Sequence, residues 1–299
     1  GRGRRRGGPE GRGADGDPLD RFGRRDGTAS GVPRHPREEG DALTHLDHIL
    51  SGVREELSSR KALDPIGDLL RRAGNRGPAK DLLRTIPEGP GIIAEIKRAS
   101  PSRGWIRPDL DAVATAGAYL AGGAWAVSVL TEGRSFGGSL ADLSDVRAAF
   151  PEATLLRKDF VLDDYMLAES RAYGADLVLL MVSVLGEKTG EMAALAFAHR
   201  LEPLVEARDG AEIAIAARSG ARLIGINNRN LDTLTVDLST GARLLPLLPA
   251  GVVPVVESGI SSADHVRSFH RAGARLFLIG ESLAGSEDPA DTIRGYLGR

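Results

Sequence analysis

Charged and amide side chains recur in this sequence at one kind of place, the end of a short apolar run just before a loop. The first run, residues 92–96, carries Glu95 and is followed by Lys97. Two residues apart on a strand, these side chains point to the same side. A carboxylate and an ammonium together at the end of a buried strand cost free energy unless they are satisfied. The pattern returns with Thr131 and Glu132 after a second run, Lys158 in LLRKDF, Glu206 in EPLVEA and Asn227 with Arg229 in IGINNRNL. Glu257 and Ser258 in VVESGI and Gly280 in FLIGES complete the series. A lone Lys or Glu at a strand terminus usually faces solvent. Acids, bases and amides at the same end of five strands instead form a lined mouth, where mixed charge shifts pKa values and suits proton transfer.

The elements that must carry these residues alternate. Candidate strands are 92–96, 126–130, 154–157, 177–181, 203–205, 223–226, 252–256 and 276–279. Helical patterns lie at 110–120, 140–149, 163–173, 187–199, 210–219, 237–248, 261–272 and 289–297. AGG, YGAD, SGAR and AGAR turns close helices with Gly and lead into strands. Strict βα alternation means a parallel sheet covered by helices. Eight units between residues 91 and 299 fit a compact (β/α)8 TIM barrel, an α/β fold whose active site lies at the C-terminal strand ends. An open doubly wound sheet is the alternative, but KRASPSRG after the first strand is not a dinucleotide turn. Ahead of the barrel, Leu46, Ile49, Leu50, Val53 and Leu57 form a helical stripe from about residue 43, and a second short helix follows Pro65.

Residues 1–42 are Gly/Arg-rich with almost nothing to bury, and read as a disordered tail. Its GRGRRRGG could be an RNA-binding arm, but interspersed acids and scarce aromatics favour a solvated segment, so nucleic acid is not the expected partner. No methionine precedes Met166, so the expectation is a processed start or an upstream reading. The domains expected are therefore this tail and a catalytic barrel with a helical N-terminal extension over 43–299. The net charge of −2 provides no field to draw the chain to nucleic acid or membrane. The absence of cysteine removes disulfides and thiolate metal sites and fits a cytoplasmic setting. No apolar run approaches the roughly 20 residues of a membrane helix. The six His have no ligand spacing, so neither a metal nor another cofactor is expected. After the last two strands, Gly259 and Gly280 allow backbone amides to approach an anion, a recurrent phosphate site in barrels. Ser100 could add a hydroxyl, and Glu281 must turn its side chain away and offer only its amide.

Taken together, IIAEIKRASPSRG, SVLTEGRSFGGSL, LLRKDF, EPLVEA, IGINNRNL, VVESGI and FLIGESL closely resemble the indole-3-glycerol phosphate synthase family of tryptophan biosynthesis. The resemblance runs from about residue 43 to 283 with every motif in order. It implies a carboxy-lyase that closes the ring of 1-(2-carboxyphenylamino)-1-deoxyribulose 5-phosphate, releasing CO2 and water. It also implies roles. Lys158 would be the general acid for ring closure. Lys97 would be the partner of the substrate carboxylate and a candidate acid for dehydration, and Glu206 and Glu95 the acid–base carboxylates. Asn227, Arg229, Glu257 and Ser258 would position substrate, with Asn227 and Glu257 counted in the catalytic set. Ser100, Gly259, Gly280 and Glu281 would hold phosphate. Pro101, Leu130, Phe136, Phe160, Leu179, Met181, Leu231 and Leu234 would line an apolar slot.

Two departures from the family pattern, Asp164 after Asp163 and Arg208 beyond the fifth-strand Glu, leave these acids and bases intact. Other readings are a second phosphate-binding barrel enzyme such as phosphoribosylanthranilate isomerase, a Schiff-base aldolase, or a non-catalytic binding protein using the tail. The small-molecule partner expected is a phosphorylated substrate, with other tryptophan-pathway enzymes as possible associates.

Overall fold

The computed structural model describes residues 44–299 together with Gly1 and Gly3. The tail expected over 1–42, and the RNA-binding arm considered for it, lie outside the described residues. Ten strands form. They are β1 (Gly91–Ile96), β2 (Ala99–Ser100), β3 (Gly104–Trp105), β4 (Ala126–Leu130), β5 (Leu155–Lys158), β6 (Leu177–Met181), β7 (Glu202–Ala207), β8 (Leu223–Asn227), β9 (Val253–Glu257) and β10 (Leu276–Ile279). Eight of them close a barrel in the order β1-β10-β9-β8-β7-β6-β5-β4. Every pair in it is parallel. Closure leaves no barrel strand with an unpaired edge.

The helical layer runs α3 (Ala112–Ala121), α4 (Leu140–Ala149), α5 (Asp164–Tyr173), α6 (Val182–Leu185), α7 (Thr189–Ala198), α8 (Gly210–Arg218), α9 (Ser239–Leu244), α10 (Ala263–Arg271), α11 (Glu281–Ala284) and α12 (Pro289–Leu297). Asp111, Ser139, Asp163, Asp209, Ser262 and Asp288 cap six of these at the N-terminus by accepting a backbone N–H. Each such cap satisfies an orphan donor and contributes about 1 kcal/mol. The (β/α)8 expectation holds. The expected strand bounds are right to within two residues, because residues buried on both faces give continuous apolar runs.

Two helices precede the barrel, α1 (His45–Leu63) and α2 (Ile66–Gly74). Thr44 and Asp47 form a reciprocal capping box that starts α1. Leu46, Leu50, Val53 and Leu57 are buried, as the stripe requires. The far end of α1 is tied to α5. Tyr165 donates its hydroxyl to the Asp64 carbonyl at 2.9 Å, and Lys61 pairs with Asp163.

The sequence pattern and the structure differ at the first strand's loop. Read from the sequence as a loop, SPSRG instead sits in a hairpin, in which β2 and β3 pair antiparallel with Ala99 opposite Trp105. Arg98 fastens this hairpin by donating to both oxygens of Asp142, at 2.6 and 2.9 Å. Two residues per strand are too few to give a period.

Candidate active site

The strands deliver their polar ends to one mouth. Glu95 and Lys97 do share a side, with Lys97 Nζ 2.6 Å from Glu95 Oε1. Lys158, at the last position of β5, lies between two carboxylates, 3.6 Å from Glu206 Oε2 and 3.6 Å from Glu257 Oε2. Asn227 at the end of β8 donates its amide to Glu206 Oε1 at 3.0 Å and accepts the Arg229 backbone N–H at 2.9 Å. The registers explain the convergence, since Met181 pairs with Glu206 and Asn227 with Glu257 across neighbouring strands.

Glycines make room for the carboxyls. A Cβ on Gly280 would meet Glu95 Oε1 at 2.4 Å, and one on Gly225 would meet Glu257 Oε1 at 2.3 Å. Gly280 is therefore required by the neighbouring carboxylate, whatever its amide also binds. After β9 the chain turns sharply through two successive positive-φ residues, Ser258 (63°) and Gly259 (79°). A left-handed Ser is costly and is held here by the surrounding loops.

Electrostatics separate two of the buried carboxyls, Glu95 and Glu257. Burial would raise the Glu95 carboxyl, but Lys97, Lys158 and Arg229 outweigh it and hold it below the usual range. Glu257 moves the other way. Burial, then the charge of Glu206, pushes it well above the usual carboxylate range against the pull of Lys158. Neither Glu257 oxygen accepts a hydrogen bond among the described residues, which further favours its protonated form. Burial works against the Lys158 ammonium, yet Glu206, Glu257 and Glu95 overcome it and hold the group firmly protonated.

Two adjoining cavities meet at Glu95, Lys97, Lys158 and Arg229. The first is about 750 Å³ including its open mouth. It is lined by Ser100, Pro101, Leu130, Phe136, Phe160, Leu179, Met181, Leu231, Leu234 and Ser258, with Glu206 and Asn227. The Phe136 and Phe160 rings stand 6.2 Å apart at a tilt of 40°. The second cavity, about 1250 Å³ with its opening, is more polar and is lined by Glu257, Ser258, Gly259, Gly280, Glu281 and Arg103. Every candidate site residue thus borders one cavity or the other. Ser100 lines the apolar one, whereas Ser102 lines both.

Some placements differ from expectation. Glu281 does not simply turn away. Its carboxylate meets Arg229 and Arg103 at 3.3 Å each, because two guanidiniums lie within reach at the cavity rim. Thr131 and Glu132 do not work at the mouth. Thr131 bonds Asp159, and Glu132 accepts the backbone N–H groups of Arg134, Ser135 and Phe136, shaping the loop after β4. Leu46 and Ile49 of α1 line the apolar cavity, a role their helical stripe gave no hint of. The departure at Asp163 and Asp164 falls at the start of α5, and Arg208 pairs with Glu212 and Asp232 away from the mouth.

Comparison with known proteins agrees with this fold. Solved structures show the same fold at low identity. The 3-hexulose-6-phosphate synthase of Salmonella typhimurium superposes with a TM-score of 0.57 at 13% identity, covering 70% of this chain and 97% of that one. Thiamine phosphate pyrophosphorylase from Pyrococcus furiosus gives 0.53 at 16% identity, covering 72% and 96%. Sequence relatives are much nearer. The indole-3-glycerol phosphate synthase of Kineococcus radiotolerans is 46% identical over 260 residues, covering 84% of this chain and 94% of that protein. Indole-3-glycerol phosphate synthase 1 of Streptomyces coelicolor is 44% identical over 253 residues with the same coverages. The family model described as indole-3-glycerol phosphate synthase matches residues 46–296. The chain belongs to the indole-3-glycerol phosphate synthase family.

Proposed function

We propose that the mouth of this barrel converts 1-(2-carboxyphenylamino)-1-deoxyribulose 5-phosphate to indole-3-glycerol phosphate, with the residues above in the following roles. The anthranilate ring lies in the apolar cavity between Phe136, Phe160, Leu130, Leu179, Met181, Leu231, Leu234 and Pro101. The phosphate lies in the polar cavity against the amides of Gly259, Gly280 and Glu281, with Ser100 near the junction. Holding both ends of one flexible substrate brings the reacting carbons together, a large entropic contribution to rate.

Ring closure forms a bond from the aromatic carbon bearing the carboxylate to the keto carbon. The keto oxygen gains negative charge as it does so. Lys158, a fixed cation, polarises that oxygen and gives its proton to the alkoxide. Lys97, braced by Glu95 at 2.6 Å, faces the substrate carboxylate until CO2 departs and its electron pair restores the ring. The new hydroxyl then takes a proton and leaves as water, driven by the ring nitrogen's lone pair. Glu257, whose raised carboxyl favours the protonated form, supplies that proton, with Lys97 as the alternative donor. Glu206, oriented by Asn227, removes the methylene proton that completes the indole.

The observation carrying this reading is the pair of 3.6 Å approaches that set one buried ammonium between Glu206 and Glu257. The reading also carries a place in tryptophan biosynthesis and a cytoplasmic setting, with the barrel and its helical extension acting as one catalytic domain. Adding the carboxyphenylamino substrate and following indole fluorescence tests it. Fluorescence should rise with the parent chain. A parent chain that gives no signal while converting phosphoribosyl anthranilate would replace ring closure by isomerisation.

A further inference from the structure

In LLRKDF, Lys158, Asp159 and Phe160 all border the apolar cavity, while the side chain between Leu156 and Lys158 has no place there. That side chain is Arg157, which is fully buried. It points outward between barrel and helices and meets five partners. Nε donates to Thr131 Oγ1 at 3.0 Å, and one terminal nitrogen donates to Asp159 Oδ2 at 2.9 Å. The other terminal nitrogen reaches the Met166 carbonyl (3.1 Å), Ser170 Oγ (3.2 Å) and Glu169 Oε2 (2.8 Å).

The two carboxylates carry the connection in opposite directions. Asp159 accepts the backbone N–H of Phe160 at 2.8 Å through its other oxygen. Glu169 on α5 accepts Arg60 Nε of α1 at 2.9 Å. A continuous chain of charged contacts thus runs from the Phe160 backbone through Asp159, Arg157 and Glu169 to Arg60, with hydrogen bonds at each step except the Arg157–Glu169 ion pair. Its charges balance, two guanidiniums against two carboxylates. It joins two structures that shape the apolar cavity: the end of β5 with the turn after it, bearing Lys158 and Phe160, and the helix contributing Leu46 and Ile49. Apolar side chains of similar volume would fill this space at lower desolvation cost, so the cluster is a device for placement more than for stability. Catalytic groups must be held to about 0.5 Å, which needs support of this kind.

We propose that Arg157 is a positioning residue for ring closure, locking the turn that aims Lys158 and Phe160, and that Arg60 extends this lock to helix α1. The inference rests on the ring-closing role of Lys158. The tether acts on two different steps at its two ends. The Arg157 end sets where the proton donor sits, and the Arg60 end sets how tightly α1 covers the aromatic ring.

The test is steady-state kinetics with a pH profile on Arg157→Met, Arg157→Lys, Glu169→Gln and Arg60→Met, each checked for fold by near-ultraviolet circular dichroism. Arg157→Met should lower kcat by about tenfold or more with a smaller change in KM, and should move the alkaline limb of the profile. Arg157→Lys should recover only part of this, since an ammonium cannot serve five partners in a fixed plane. Arg60→Met leaves Glu169 paired with Arg157, so the fold stands. It should raise KM by about threefold or more with kcat kept, the split expected of lost binding contacts. A folded Arg157→Met with kcat within about twofold of the parent would overturn the proposal. Where that variant does not fold, Glu169→Gln decides, because unchanged kcat and KM in it would overturn the proposal equally. Loss of activity in Lys158→Ala alongside normal Arg157 and Glu169 variants would remove the tether and leave ring closure standing. An active Lys158→Ala would remove the acid assignment itself.

Discussion

Where the barrel strands begin, Asp176 sits among Arg147, Arg171 and Lys80; where they end, Lys158 sits among Glu206, Glu257 and Glu95. Both are largely buried clusters in which one ionisable group is ringed by groups of the opposite type. At the first, Arg147 reaches Asp176 at 2.5 Å and also donates to the carbonyls of Gly174, Pro151 and Ala153 at 2.6 to 2.9 Å. Asp176 accepts the Leu155 backbone N–H at 3.1 Å, and Arg171 holds the carbonyls of Gly77 and Pro78 at 3.1 and 3.2 Å. Most guanidinium nitrogens there are used up on the backbone, stapling the segment after α2 to the barrel, although Arg171 Nε has no hydrogen-bond partner among the described residues. At the second cluster the ion pairs stretch to 3.6 Å, and one Glu206 oxygen and both Glu257 oxygens accept no hydrogen bond among the described residues. Open bonding capacity beside a cavity is what a reacting molecule can use. Filled capacity beneath the barrel serves stability, the division expected of the two faces of this fold.

The sharpest way to break the comparison is to disable each end separately. Lys158→Ala should lower turnover by about 10² to 10⁴-fold while the melting temperature changes by only a few degrees, as stopped assays and thermal melts would report. Asp176→Ala should do the reverse. Leaving Arg147 without its anion should cost about 3–5 kcal/mol of stability in denaturant titration, with turnover per folded molecule preserved. Equal losses of both properties in both variants would mean that the ends are not specialised.

A smaller effect probes the space around the carboxyls. Gly225→Ala puts a methyl against Glu257 Oε1, so that side chain must shift. A displacement of about 1 Å should lower kcat roughly 10- to 100-fold. A kcat equal to the parent's would show that the placement of Glu257 is not critical.

The smallest effect is one of sign. The depressed carboxyl of Glu95 contributes stability that is full above its unfolded pKa and lost as pH falls through the folded value. Glu95→Gln should therefore cost most near neutrality and least in acid. The raised carboxyl of Glu257 contributes stability that is full below its unfolded pKa and lost as pH rises through the folded value. Glu257→Gln should gain on the parent as pH climbs above the ordinary carboxylate range. Melts over a pH series in which the two variants run parallel to the parent would contradict both assignments.

Much of this was legible in the sequence. The βα alternation was plain because strands covered on both faces are unbroken apolar runs, and polar residues at their ends stand out. The mouth followed, since parallel strands bring their C-terminal ends together. Five things were hidden. The β2–β3 hairpin and the four-residue helices α6 and α11 are too short to show a period. The helix expected over 237–248 divides into α9 and a 3₁₀ turn at Leu245–Leu247, with Pro246 inside the turn. Leu46 and Ile49 read as ordinary core because a stripe does not say what it covers. Arg157 was masked by its neighbour, since Lys158 drew the chemistry and an arginine in an apolar strand has no pattern of its own. Gly225 needed three dimensions, as its reason is a carboxyl from the adjacent strand.

The central claim is that the Lys158 cluster performs the chemistry and the Asp176 cluster does not. The direct measurement is indole fluorescence at saturating carboxyphenylamino substrate, with Lys158→Ala and Asp176→Ala side by side at a temperature where both are folded. The account predicts a loss of at least about 10²-fold for Lys158→Ala and turnover within about twofold of the parent for Asp176→Ala. Near-parent turnover from a folded Lys158→Ala would contradict it.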